Sequence, residues 1–158
     1  MTHTIREYTQ DDVESIKQCL IDIQDFERML DPNRLEGIEV AQNYLEHLLS
    51  LGKQNAGNVF VVEVDSEIVG MISVYIETDM KHFREKRSYA YISDVIILPE
   101  YSDKGIMKDL LTKAEEYAIS KKVTTIQTSV LAKHSEHIDG FQRNGYHNAE
   151  IILRKNLS

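Results

Sequence analysis

Apolar residues recur along this chain with two different periods, and the changes of period divide it into elements. Residues 4–8 read as a short strand. Thr9, followed three positions later by Asp12, forms a capping box that opens a first helix, with Val13, Ile16, Leu20 and Ile23 at helical spacing as far as Phe26. Asp31-Pro32-Asn33 closes that helix, because proline disfavours helical backbone in the residue before it. A second helix over 37–51 carries Val40, Tyr44, Leu45 and Leu48 on one face, and Gly52 and the stretch 55–58 interrupt the chain after it. The β-branched runs 59–64 and 68–76 flank Asp65-Ser66 and read as a hairpin. The charged stretch 77–86 reads as a loop. A long strand over 89–98 stops at Pro99. A helix over 105–120 gathers Met107, Leu110, Leu111, Ala114, Tyr117 and Ala118 on one side. A strand over 124–130, a short helix over 134–143 and a last strand or strands within 146–156 complete the order.

A hairpin sheet that runs into a strand–helix–strand unit places antiparallel and parallel pairs in one sheet, so the expected class is mixed α/β. The 158 residues suit a single domain spanning 1–158, with no linker or internal repeat. The net charge of −8 argues against a nucleic-acid partner and suits a cationic small molecule, although acidity also serves solubility alone. The lone cysteine, Cys19, cannot form a disulfide within the chain and falls among apolar helix residues. The polar start MTHTIREYTQDD does not read as a signal peptide, and no apolar run has the length to span a bilayer. The expected compartment is cytoplasmic, with no membrane partner.

The segment from Tyr91 to Leu111 is the most informative. A strand ends at Ile97-Leu98-Pro99-Glu100-Tyr101, a tight turn follows, and a helix begins near Gly105. Such a turn offers free backbone N–H groups and the positive end of a helix dipole, a ready site for phosphate. Gly105 lets the backbone approach an anion, and Lys104 and Lys108 add positive charge. The same turn is neither a Walker loop nor a dinucleotide fingerprint.

These residues resemble the GNAT superfamily of acyl-CoA-dependent N-acetyltransferases. That family's cofactor loop reads Gln/Arg-x-x-Gly-x-Gly/Ala after a strand like this one. Here the loop is Ser102-Asp103-Lys104-Gly105-Ile106-Met107, with Ser102 and Met107 departing from the pattern. A second landmark, Asn-x-x-Ala-x-x-x-Tyr ahead of Gly-Phe, falls on His134, His137, Phe141 and Gly145-Tyr146. The resemblance implies a splayed central sheet of roughly six to seven strands flanked by about four helices. It implies acetyl-CoA as co-substrate, a small cationic or lysine-like primary amine as acceptor, and a homodimer. It also implies cofactor contacts from Ile96, Ile97 and Leu98 on the strand and from Ser102, Asp103, Lys104, Gly105, Ile106, Met107 and Lys108 around the turn. His134 and Phe141 complete the expected cofactor set.

Asp94 is the candidate catalytic residue, a charge in the otherwise nearly apolar run 90–98. It is either a general base that takes an ammonium proton through water or an acid satisfied by neighbouring groups. Phe141 stands where the family places a tyrosine acid, which suggests a second function: an acyl-CoA-binding sensor with weakened catalysis. His134 and His137 lie one helical turn apart, but lack a third ligand, and no metal is expected. Asp25, Glu27 and Glu77 are candidates to bind the amine, with a solvated helix or loop face as the other reading.

Overall fold

The computed structural model describes residues 2–102 and 105–158. Its strands are β1 (Thr4–Glu7), β2 (Asn58–Val64), β3 (Glu67–Asp79), β4 (Arg87–Ile97) and β5 (Ile126–Thr128). Its helices are α1 (Val13–Leu30), α2 (Gly37–Gln54), α3 (Ile106–Ser120) and α4 (Ser135–Arg143). The five strands form one sheet in sequence order, antiparallel from β1 to β4 and parallel between β4 and β5. No helix of the described residues is long and apolar enough to cross a membrane.

Two hydrophobic cores lie on opposite faces of this sheet. On one, Ile16, Cys19 and Leu20 of α1 and Leu45 and Leu48 of α2 bury against Val59, Val61, Met71 and Ile96. On the other, Ile106, Leu110, Leu111 and Ala114 of α3 bury against Phe60, Val62, Ile72, Ile92 and Val95. The helical spacing of these residues thus marks their buried faces. Burial and the nearby Asp22 push the Cys19 thiol up to about 11, so it stays protonated and inert at neutral pH.

The helix pair on the first face packs closely because α2 begins with a glycine. A Cβ on Gly37 would stand 2.5 Å from the Ile21 carbonyl oxygen and 2.8 Å from the Ile21 Cα. Backbone atoms cannot turn aside as a side chain can. Gly37→Ala is therefore expected to cost about 1–3 kcal/mol, read as a lower urea midpoint with an unchanged slope. An unchanged midpoint would contradict the close α1–α2 approach.

The structure corrects the expected strand count. The sheet has five strands among the described residues, not six to seven. The difference lies at the end of the chain, where 146–156 forms no strand and Ile151, Ile152 and Leu153 are exposed. No strand of the sheet pairs with this segment, so its apolar run is not buried. The charged loop is also shorter than the sequence suggests, because β3 runs on to Asp79 and β4 starts at Arg87.

Candidate active site

The site originates in one extra residue in β4. Across the β3–β4 ladder Ser73 faces Asp94 while Val74 faces Ile92, so Ser93 has no opposite number. Such a bulge reverses which face each following side chain occupies. Before it, Ala90 and Ile92 point into the α3 core; after it, Val95 does so and Ile96 enters the α1–α2 core. Asp94 is thereby aimed at α2 rather than α3. Its carboxylate accepts a hydrogen bond from the Tyr44 hydroxyl at 2.6 Å and another from the Ser73 hydroxyl at 3.2 Å. Ser73 and Ser93 bond to each other beside it.

The bulge coincides with the end of the parallel pairing. β4 and β5 are in register at Ala90–Ile126, Tyr91–Gln127 and Ile92–Thr128, and no pairing continues beyond. The two strands then part around a small cavity. Ser93, Asp94 and Val95 line one side, Thr128, Ser129 and Val130 the other, and Glu27 of α1 and His137 and Phe141 of α4 close the ends. The Leu98 N–H is donated to Val69 of β3 at 2.9 Å. The alternation of an antiparallel ladder then turns the Ile96 N–H to β3 as well, and turns those of Val95 and Ile97 into the fork. Of the three strand residues expected to hold a cofactor by their amides, Ile97 keeps that possibility, whereas Ile96 and Leu98 spend their N–H groups within the sheet.

Burial pushes the Asp94 carboxyl up to about 6, against the opposing hydrogen bonds from Tyr44, Ser73 and Ser93 and with help from the charge of Glu27. A carboxyl titrating there is ionised at neutral pH and still basic enough to accept a proton. The same shift is a cost to the fold. The folded chain keeps the proton up to about pH 6, while the unfolded chain releases it near 3.8, so stability falls as pH rises through that window. The loss amounts to about 2–3 kcal/mol at 1.36 kcal/mol per unit. Urea unfolding of wild type is expected to weaken from pH 4 to pH 7 relative to Asp94→Asn, by about that amount. Parallel curves would contradict the buried setting of Asp94.

The structure brings Glu27 to the cavity beside Asp94. Asp25 is engaged elsewhere, since its carboxylate accepts the Gly37 N–H at 2.6 Å and so caps α2. Glu77 stands on the sheet, half-buried and paired across to Tyr89. His134 is buried between Phe26, at 4.9 Å between ring centroids, and His137, stacked at 3.8 Å, with its Nε2 unpartnered. Burial, reinforced by His134, lowers His137 to about 4, so it is neutral at physiological pH. Among the described residues no group of three or more His, Cys, Asp or Glu side chains is placed to hold a metal.

Phe141 lies buried in the α3 core with its ring edge-on to Tyr146. The Tyr146 hydroxyl is donated to Glu115 at 2.9 Å, and burial followed by that bond pushes its pKa up. Gly105 caps α3 with φ of 73°, in the left-handed region that favours glycine, and a Cβ there would meet none of the described residues within 4 Å. Ile106 is buried in the α3 core. The Met107 side chain packs toward α4, where Gly140 leaves it room. Lys108 is exposed in the first turn of α3. Ser102 folds its hydroxyl back onto the Pro99 carbonyl at 3.0 Å. Asp103 and Lys104 lie outside the described residues.

Tyr44, Ser73, Ser93, Thr128, Ser129 and His137 are cavity or carboxylate partners that sequence reading did not assign. Tyr44 was hidden within the apolar stripe of α2. A polar pair at Ser73 and Ser93 within two apolar strands was the available signal.

The model of the acetyltransferase (GNAT) family matches residues 23–146. An uncharacterized N-acetyltransferase of Methanocaldococcus jannaschii is 25% identical over 151 residues, which cover 96% of this chain and 63% of the relative. The chain thus spans less than two thirds of that relative's length. A crystal structure of a transcriptional regulator from Bacillus halodurans C-125 superposes with a TM-score of 0.75 at 20% identity, covering 99% of this chain and 100% of the other. The structure of AAC(6')-Iy in complex with the bisubstrate analog CoA-S-monomethyl-acetylneamine gives 0.74 at 13% identity, covering 100% and 99%. These two likenesses concern the fold, which hosts more than one function.

Proposed function

The chain belongs to the GNAT acetyltransferase family, and from that premise we propose that it moves an acetyl group from acetyl-CoA to a primary amine. The observation that carries this reading is the fork between β4 and β5 with Asp94 beside it. The residues present fit such a co-substrate. Past Ile92 the edge of β4 is released from β5, and the Val95 and Ile97 amides are available to an extended arm carrying amides of its own. Among the described residues nothing crowds Gly105 ahead of the first N–H groups of α3, which suit a diphosphate. Bound acetyl-CoA would supply an activated thioester acetyl group.

Asp94 takes the proton from the acceptor ammonium, directly or through one water, and leaves the amine free to attack. Tyr44 and Ser73 hold the carboxylate in place by donating to it. Val95 is the amide beside Asp94 that faces the fork, the position from which an N–H would polarise a carbonyl. The departing thiol ionises near ~8.5 and leaves with little help, so a phenyl ring at Phe141 slows the reaction without forbidding it.

The absence of a hydroxyl at Phe141 favours a second reading, an acyl-CoA sensor. Free thiol followed during incubation with acetyl-CoA and a panel of amines separates the two. Release that rises with particular amines is expected. Cofactor binding with no amine-dependent release would replace the enzyme with the sensor.

A further inference from the structure

A row of tyrosines leads away from Asp94 along the same face of the sheet. Tyr75 faces Tyr91 across the β3–β4 ladder, and Glu77 faces Tyr89. Ser73, which touches Asp94, shares a face with Tyr75 and Glu77 because alternate residues of a strand point the same way. The rings of Tyr75 and Tyr91 lie 5.5 Å apart between centroids, tilted by 53°. Tyr44 joins them at the Asp94 end. Among the described residues the tyrosine hydroxyls that donate hydrogen bonds are those of Tyr44, Tyr117 and Tyr146, so the hydroxyls of Tyr75, Tyr89 and Tyr91 donate none.

Two carboxylates, Glu77 and Asp79, stand beside these phenols. Burial and then the charge of Glu77 push the Tyr75 phenol up to about 12. The Tyr89 phenol is raised as well, by burial and then by Glu77 and Asp79. Asp79 is itself buried and paired with Arg84 at 3.4 Å. Glu77, half-buried, has no ion-pair partner among the described residues. Arg87 leans over Tyr89 at 5.9 Å and marks the far end of the row. Tyr75, Tyr89 and Tyr91 are half-buried, so part of each ring meets solvent beside Glu77. A carboxylate next to such rings suits a cation, and rings between two carboxylates suit the methylene chain that joins two cations.

Resting on the acyl-transfer reading above, we infer that the acceptor is a linear diamine or polyamine. Its reacting nitrogen meets Asp94, and a second ammonium group about 13 Å away, four residues along a strand at about 3.3 Å each, rests on Glu77. The rings of Tyr75 and Tyr91 cover the chain between. An acceptor with one ammonium group leaves Glu77 without a partner. A wide, branched amino sugar places its charges across the row rather than along it.

The test uses the full chain with saturating acetyl-CoA and a series of α,ω-diaminoalkanes, from diaminobutane to diaminododecane, beside monoamines of matching length. The expected kcat/KM peaks where the nitrogens are about 13 Å apart and exceeds that of the matching monoamine by about 10-fold. Glu77→Gln is expected to lower that diamine-to-monoamine ratio by about the same factor. Saturation-transfer NMR with the diamine alone, on wild type and Glu77→Gln, reads binding without any acyl transfer. A flat length profile, a ratio indifferent to Glu77, or preference for an amino sugar or a lysine peptide would overturn the inference while acetyl transfer stands. Glu77-dependent diamine binding without transfer to any amine would sustain it and remove the acyl-transfer reading instead. Neither binding nor transfer would overturn both.

Discussion

Asp94→Asn is expected to lower kcat/KM for the acceptor amine by about 10²-fold or more between pH 7 and pH 8. The reason is positional as much as chemical. The Ser93 bulge turns this side chain toward Tyr44 and away from the α3 core, at the mouth of the fork. Burial keeps its pKa at about 6, so the wild-type rate rises through that pH as the base becomes free. An amide accepts the same hydrogen bond from Tyr44 but cannot take a proton. The deficit therefore narrows below pH 6, where Asp94 is itself protonated, and again at high pH, where the amine is already free. A variant as active as wild type across this range would remove Asp94 from the proton transfer.

The second large effect concerns the fork. Ser129 is exposed and lines the cavity on the β5 side, across from the Ser93–Val95 stretch of β4. Ser129→Trp places an indole where the thioester arm would enter, and misfitting bulk in a packed space costs about 1–3 kcal/mol. Affinity for CoA is then expected to drop by about 10- to 100-fold, measured by calorimetry, while the urea midpoint stays close to that of wild type. Unchanged affinity would mean that the arm does not run between β4 and β5.

Most elements were legible in the sequence because helices and strands carry different periods here. α1, α2 and α3 fall where their apolar stripes predict, α4 falls within the short helix expected over 134–143, and Asp94 was conspicuous as a charge among apolar neighbours. The bulge that aims Asp94 was not legible. β4 is apolar toward both of its faces, so a one-residue change of parity leaves no trace in the pattern. Tyr44 read as core because its ring packs with the α2 stripe, and only the fold brings its hydroxyl to Asp94. Asp25 read as a surface acid near the acceptor, yet the start of α2 claims it through the Gly37 N–H. The final strand failed for a different reason: 146–156 has an apolar run, but nothing in the described sheet pairs with it.

Isothermal titration calorimetry of the wild-type chain with CoA is the sharpest test of a coenzyme held between β4 and β5, since both the fork and the Gly105 turn must contribute to the heat. Saturable one-to-one binding that Ser129→Trp weakens is expected. No heat of binding at millimolar CoA would contradict it.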